Sequence, residues 1–270
     1  MQKPKVSVLM PNYNCEKYIR ESIESILNQT FTDFEFIIVD DGSTDNSWCI
    51  IQEYASKDSR VIAIKNEKNL WIAGNRNKLL NLAKGEYLVW QDSDDISILD
   101  RIEKQYNYLL NNAKIWICWW WIQFFNEKWD ISKRLYKESD ADIRKIIFKY
   151  SPVALPCSMM LKIAVMEVWG FEKWLNVAED LDLSFRVWKK YHFANIQDVL
   201  LKYRENWGSA TFNNLRKMEK ETIRIRLKNH KSKYYKMTFW DKIYNLIQYL
   251  SIYLIPTKLK IKLFNLIRNS

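Results

Sequence analysis

Glycine is scarce in this chain. Five residues in 270 fall well below the roughly 7% of ordinary usage, whereas tryptophan reaches thirteen. Cysteine is sparse too: Cys15, Cys49, Cys118 and Cys157 show neither metal-ligand spacing nor the density of a disulfide scaffold, so a reducing cytoplasm is the expected setting. Long apolar runs are missing. The longest apolar-rich segment, Ile243 to Ile255, is interrupted by Asn245, Gln248 and Ser251 and is shorter than the roughly 20 residues a membrane span needs. No basic-then-apolar signal opens the chain, because the short run Val6 to Met10 after Lys3 and Lys5 is ended by Pro11 and Asn12. Of two histidines, His192 and His230, neither accompanies the acidic motifs, and both read as structural or solvated.

What is abundant is positive charge, and it is unevenly placed. The chain carries a net +10, yet residues 201–270 hold 16 Lys or Arg against 4 Asp or Glu, so the first 200 residues are slightly acidic. Such a tail suits an anionic surface, while chemistry is sought in the body. A length of 270 residues accommodates one large α/β domain with an appendage.

Along the body, apolar runs at Val6–Met10, Phe34–Val39, Val61–Ile64 and Tyr87–Trp90 read as strands. Helical patterns at Glu16–Gln29, Ser47–Ser56 and Ile72–Ala83 separate them. Strand and helix alternating at this spacing predict a largely parallel sheet with covered faces, in which ligands bind beyond the carboxyl ends of the strands. Three polar clusters fall at that edge: residues 11–14, 40–45 and 92–95. Beyond them the pattern predicts a helix over Ile98–Leu110, a strand over 115–125, an insertion or flap over Asn126–Tyr150, a strand within Pro152–Leu161 and a helix from about Asn176 to Lys190.

Asp92-Ser93-Asp94-Asp95 follows a buried-type strand and offers oxygen ligands of the kind Mg²⁺ takes, one or two carboxylates completed by water and phosphate. Taken alone, the same acids also suit a solvated loop. Glu179 and Asp180 likewise suit the first turn of a helix as well as a catalytic site.

The ordered set decides between these readings. Val6 to Asn14, Val39-Asp40-Asp41-Gly42-Ser43, Asn75-Arg76-Asn77, Gly85-Glu86-Tyr87 with Asp92 to Asp95, and Glu179-Asp180 together resemble family 2 glycosyltransferases of the GT-A fold, over about residues 5–210. The resemblance implies an α/β fold with a mixed, mostly parallel sheet and helices on both faces. It also implies inverting transfer of a sugar from a nucleotide-diphosphate donor to an acceptor hydroxyl, in cell-surface polysaccharide or glycolipid synthesis. The base and ribose would meet Pro11, Asn12, Tyr13, Asn14, Asp40 and Asp41. Arg76 would suit a phosphate or a neighbouring carboxylate, the other reading being an exposed helix arginine. Asp92, Ser93, Asp94 and Asp95 would serve the ribose, the diphosphate and an Mg²⁺ or Mn²⁺ ion, with all three acids candidate ligands. By the same resemblance Asp180 is the general base and Glu179 its positioning neighbour.

Two departures from the family pattern leave a catalytically silent nucleotide-sugar-binding module as the alternative. Tyr203-Arg204-Glu205-Asn206 carries Asn206 where many relatives place a metal-binding histidine. Trp71, Trp119, Trp120, Trp169 and Trp207 stand where relatives commonly carry glycine, and Trp129 and Trp188 lie in turn-like contexts. Glycine suits positive φ or close backbone approach, which an indole does not. The expectation is that several of these positions are glycine codons, UGA translated under the wrong code; UGG in the gene excludes it.

Residues 1–210 are thus expected to form the catalytic domain and 211–270 a basic amphipathic helical extension. In the extension, Ile243, Tyr244, Leu246, Ile247, Leu250, Tyr253 and Leu254 share a broad apolar face that either packs on the body or lies on an anionic membrane, at the inner face of the cell membrane, where a lipid-linked acceptor would be met. A nucleic-acid partner is not expected, since no recognition motif accompanies the charge.

Overall fold

The computed structural model describes residues 3–112, 114–126, 130–151, 154–205, 214–257 and 259–260, apart from the Trp120 side chain. Its first half alternates β1 (Val6–Asn12), α1 (Ile19–Leu27), β2 (Phe34–Asp40), α2 (Ser47–Lys57), β3 (Val61–Lys65), α3 (Trp71–Leu82) and β4 (Tyr87–Trp90). β3, β2, β1 and β4 lie side by side and pair in parallel.

Period-two alternation sorts their side chains between the two faces. Leu9, Ile37, Val39, Leu88 and Trp90 pack with Leu79 and Leu80 of α3 on one face. Val8, Met10, Phe36, Ile38 and Val89 pack with Ile23 and Ile26 of α1 on the other. Both faces are therefore covered, as the near-continuous apolar strands require. Gly85, just before β4, has a local steric cause: a Cβ there would lie 2.5 Å from the Ser7 amide nitrogen of β1.

The second half departs from simple alternation. A two-residue strand β5 (Ile96–Ser97), helix α4 (Arg101–Asn111) and the long strand β6 (Ile115–Phe125) are followed by β7 (Asp130–Arg134), α5 (Asp140–Ile146), β8 (Met159–Leu161), α6 (Lys162–Met166), α7 (Glu179–Val187) and β9 (His192–Arg204). β8 is antiparallel to both β4 and β6, while β6 and β9 are parallel, so the sheet is mixed and runs β3-β2-β1-β4-β8-β6-β9-β5.

Four sequence expectations change here. β1 continues through Pro11 and Asn12, which pair with Val39 and Asp40; beyond Leu9 the β4 side of β1 is unpaired, and proline is tolerated where a ladder is open on one side. α1 is shorter than the Glu16–Gln29 pattern, because Tyr18 and Asn28 already take cap positions. Among the described residues of the Pro152–Leu161 run, only Met159–Leu161 is strand, since Leu155–Cys157 forms a single 3₁₀ turn with proline inside it. Residues 130–150 are not a flap: β7 extends the sheet beside β6, and Ile143, Ile147 and Phe148 are buried in the main core.

The basic extension forms α8 (Leu215–Asn229) and α9 (Phe239–Leu254). It is docked on the body, with Ile225, Tyr235 and Met237 joining the main core and the Tyr235 hydroxyl donating to the Phe185 carbonyl of α7 at 2.8 Å. No helix among the described residues is long and apolar enough to cross a membrane.

Candidate active site

The carboxyl ends of β1, β2 and β4 meet at one edge of the sheet. At the end of β2, Asp40 and Asp41 are both buried and both engaged. Asp40 accepts from the Asn12 side-chain amide at 2.8 Å and from the Ser43 backbone amide at 2.9 Å. One carboxylate oxygen of Asp41 accepts from Asn66 at 2.6 Å and from the Leu70 amide at 2.8 Å. Asn14, at φ +49°, accepts from the Thr44 amide at 2.8 Å and locks the two loops together. Tyr13 is exposed at this rim, and Pro11 is half-buried beneath it. The arrangement is a rigid floor with an aromatic edge.

The end of β4 is different in kind. Asp95 is buried; one of its oxygens accepts from the Arg204 amide at 2.9 Å and the other has no hydrogen-bond partner. Burial, then the Asp94 and Asp92 charges, raise its pKa well above the carboxylate range. Asp94 is half-buried, and burial followed by repulsion from Asp92 raises it to about 6. Asp92 is raised by burial and drawn back down by Arg76, whose Nη2 lies 3.8 Å away. Ser93 is buried between them, its carbonyl facing the Cys15 thiol at 3.4 Å.

Three arginines hold this acidic corner. Arg76, on α3, is buried rather than exposed: its guanidinium ion-pairs with Glu179 at the start of α7 and lies over the rings of Trp90 and Phe171, 5.8 and 5.6 Å from their centroids. It thereby joins Asp92, just beyond β4, to Glu179 across the cleft. Arg204, at the end of β9, donates from Nε to the Asp94 carbonyl at 2.9 Å, ion-pairs with Glu21 and stacks between Tyr18 and Phe125, each 4.4 Å away. Arg101 is fully buried behind the loop, donating to Gln91 at 3.0 Å, Ser97 at 2.9 Å and the Trp90 carbonyl at 2.8 Å. Its burial lowers its pKa to about 10.

Sequence reasoning missed the roles of Arg101 and Arg204. Arg101 did leave a trace, since a cation opening a helix opposes the macrodipole and needs another reason to be there. Arg204 stood in the sequence only as a member of the Tyr203-Arg204-Glu205-Asn206 segment; its contacts with the 92–95 loop, 109 and 110 positions away in the chain, left no local signal.

Asp180 opens α7 beside Glu179, after Ala178 at φ +56°, a left-handed conformation that a non-glycine residue adopts only where the surroundings enforce it. The Asp180 carboxylate is half-buried and accepts from the Leu181 amide at 2.7 Å. Burial and then the Glu179 charge raise its pKa to about 6, with Arg76 pulling it down. A carboxylate so poised is a competent proton acceptor near neutral pH.

The donor set suits a hard divalent cation in part. Among the described residues no three His, Cys, Asp or Glu side chains converge on one point. Asp92 and Asp94 are half-buried oxygen donors with raised pKa values, which a cation would relieve, whereas Asp95 is turned inward onto Arg204. Two carboxylates completed by substrate phosphates is a coordination Mg²⁺ and Mn²⁺ accept.

Residues 7–169 match the family model described as Glycosyl transferase family 2. An uncharacterized glycosyltransferase of Methanocaldococcus jannaschii is 39% identical over 266 residues, 95% of this chain and 91% of that protein. The chain belongs to glycosyl transferase family 2. This glycosyltransferase has the GT-A fold: a mannosyltransferase of Pyrobaculum calidifontis, solved with GDP-Man and Mn²⁺, superposes with a TM-score of 0.67 at 15% identity over 94% of this chain and 71% of that one. An Escherichia coli UDP-Glc:α-D-GlcNAc-diphosphoundecaprenol β-1,3-glucosyltransferase is 43% identical over 104 residues, 38% of this chain and 41% of that protein.

The tryptophans divide into two groups. Trp71 and Trp169 have φ of +62° and +67° and are 65% and 92% exposed. Trp119 and Trp188, by contrast, are buried in the core against Phe193, and Trp188 donates to Asp140 at 2.9 Å. The turn-like reading of Trp188 is therefore corrected: it ends α7 in ordinary right-handed geometry. Trp129, Asn206 and Trp207 lie outside the described residues, as does the Trp120 side chain.

Proposed function

We propose that this glycosyltransferase transfers a sugar, with inversion, from a nucleotide-diphosphate donor to an acceptor hydroxyl of a lipid-linked glycan in cell-surface polysaccharide synthesis. The observation that carries the reading is the Asp92–Arg76–Glu179 bridge, which ties the acidic end of β4 to the helix bearing Asp180. It fixes a leaving-group side and an attacking side on one scaffold.

In this mechanism Asp41 accepts a hydrogen bond from the base, Tyr13 lies flat against it, and Asn12, Asn14, Asp40 and Pro11 hold that floor. Asp92 and Asp94 would hold Mg²⁺ or Mn²⁺ beside the diphosphate, while Asp95 and Arg204 fix their loop and Ser93 lines it. When bound, the ion would supply neutralisation of the charge that builds on the departing diphosphate. Asp180 removes the proton from the acceptor hydroxyl as its oxygen attacks the anomeric carbon from the face opposite the diphosphate. Glu179, paired with Arg76, keeps that carboxylate aimed and raises its basicity. No side chain forms a covalent intermediate in this scheme.

Support for a lipid-linked acceptor comes from the E. coli relative, whose name specifies a diphosphoundecaprenol-linked substrate. An enzyme working in the cytoplasm at the inner face of the membrane fits this reading. The test is release of nucleoside diphosphate from UDP-, GDP- and dTDP-sugars with an undecaprenol-diphosphate sugar acceptor. Turnover with Mn²⁺ that chelation abolishes supports the reading. Trp71 favours a second one: it follows Leu70, whose amide binds Asp41, and projects at the donor rim. Donor binding without transfer to any acceptor would assign the chain to the silent module.

A further inference from the structure

Helix α9 is built inside out. Its inward face carries polar groups along with the buried Ile252: Asp241 and Asn245 are buried, with Asn245 donating to the Phe148 carbonyl at 2.7 Å and Lys149 lying 3.5 Å from Asp241. Buried Arg226 of α8 donates to Gln248 at 2.9 Å and to the Lys149 carbonyl at 2.8 Å, completing a hydrogen-bonded seam. The seam fixes the rotation of the helix about its axis, because turning it would strand these groups without partners. The outward face that results carries Trp240 and Ile247, 69% and 61% exposed, with Leu246, Leu250, Tyr253 and Leu254 also exposed. A soluble helix has the reverse arrangement, apolar inward and polar outward. The apolar face of α9 is therefore held toward something other than water.

Charge identifies what. Lys242 is the sole exposed charge on α9 itself, so the face is an apolar stripe about 24 Å long. It is bordered by cations: a groove on one side runs past Lys220, Arg224 and Lys242, and one on the other past Lys149. Lys220 also lies over the Tyr253 ring at 5.0 Å, a long basic side chain folded along the apolar stripe with its head at the edge. An apolar stripe with aromatic residues and a basic border is the pattern of a helix lying in a bilayer interface, whereas two copies of this chain would oppose like charges. The helix is too short and too polar on its inner side to span.

We infer that the outward face of α9 is a lipid-docking surface that seats the enzyme on an anionic bilayer, Trp240, Ile247 and Leu250 entering the acyl boundary while the bordering lysines and arginines meet headgroup phosphates. The inference rests on the proposed lipid-linked acceptor for its purpose, and it stands or falls on lipid binding alone.

The test is co-sedimentation of the full chain with vesicles of phosphatidylcholine mixed with phosphatidylglycerol, against pure phosphatidylcholine, without any substrate. The parent binds the anionic vesicles more tightly, and less so as salt is raised. The double substitution Trp240→Glu, Ile247→Glu weakens binding at least about tenfold, each change removing an inserted group and adding a repelled charge. Both side chains are exposed, so its melting curve and its transfer to a water-soluble acceptor match the parent's. Equal vesicle binding by parent and double variant overturns the inference, as does a dimer in sedimentation velocity that the same substitutions dissociate while the parent ignores vesicles. Failure of the parent to transfer to an undecaprenol-diphosphate sugar acceptor, while it binds anionic vesicles and the double variant does not, overturns the proposed function instead.

Discussion

Two strand ends of the same sheet carry carboxylates and treat them in opposite ways. At the end of β2, Asp40 has each oxygen in a hydrogen bond and Asp41 has one oxygen doubly engaged, so their charge is spent on holding Asn12, Ser43, Asn66 and Leu70 in place. At the end of β4, burial and mutual repulsion raise the pKa values of Asp92, Asp94 and Asp95, and one oxygen of Asp95 has no partner. Carboxylate oxygens bonded within the protein hold the scaffold; in the proposed mechanism, the raised Asp92 and Asp94 are the ones a bound ligand would relieve. Asp180 belongs with the second group although it lies on a helix, since burial and Glu179 hold its pKa up at about 6.

The sharpest way to break the comparison is to remove charge from the unsatisfied group. Asp180→Asn keeps the size and the hydrogen bond to the Leu181 amide but cannot take a proton. The expected loss in kcat is about 10³-fold, within the range of general-base catalysis, with the donor KM little changed. Retention of kcat within a few-fold in steady-state assays would place the base elsewhere. The parent's kcat should fall about tenfold per pH unit below about 6, where Asp180 becomes protonated.

The satisfied group should fail in stability instead. Asp40→Ala leaves the buried Asn12 amide and the Ser43 amide without their acceptor, at a cost of about 3 kcal/mol. For a chain of this size that corresponds to a fall in Tm of roughly 6–12 °C, read by differential scanning calorimetry. A melting temperature unchanged by the substitution would show that Asp40 is not scaffolding.

The same Asp180→Asn variant tests the converse. A carboxyl whose folded pKa lies above its unfolded value of 3.8 disfavours the native state once it is ionised, so the penalty is absent at pH 3 to 4, grows as pH rises through about 6 and is fully present above it. Neutralising it should raise stability at pH 8 by about 1 kcal/mol after allowance for its partial exposure, a Tm gain of about 2–4 °C. Near pH 4 the gain should vanish, and a gain independent of pH would assign it to packing rather than charge.

Much of this contrast was legible in the sequence, and the illegible part has a common cause. Residues 11–14, 40–45 and 92–95 could be placed on one edge because each follows an apolar run of strand length, which is local information. The pairing of Arg76 with Glu179 spans 103 positions and depends on how α7 returns across the sheet, which no local pattern encodes. The strand within Pro152–Leu161 could not be bounded closely, because an apolar run of buried residues does not distinguish a strand from a 3₁₀ turn. Residues 126–150 looked like a flap because their polarity hid the few apolar side chains, Ile143, Ile147 and Phe148, that bind them to the core. α9 was legible as amphipathic but not in orientation, since the polar seam with Arg226 and Phe148 belongs to its partners.

The smallest expected effect concerns the two exposed tryptophans, Trp71 and Trp169, which with the buried pair repeat the contrast in backbone form. Trp119 and Trp188 are satisfied by burial in the core, whereas Trp71 and Trp169 hold left-handed conformations with most of the indole in water. A side chain in that region costs about 1 kcal/mol, and exposure returns little of it. Trp169→Gly is therefore expected to raise the unfolding midpoint in urea by the equivalent of up to about 1 kcal/mol, part of the relief being offset by glycine's greater freedom when unfolded. Trp71→Gly should give a similar gain and also clear the donor rim above Asp41, lowering the donor KM if the indole obstructs it. Trp188→Gly should instead lose several kcal/mol, since it empties the core beside Phe193 and removes one of the hydrogen bonds to Asp140. Equal destabilisation by all three substitutions would erase the distinction between the two groups and remove the conformational reason for reading Trp71 and Trp169 as glycine positions.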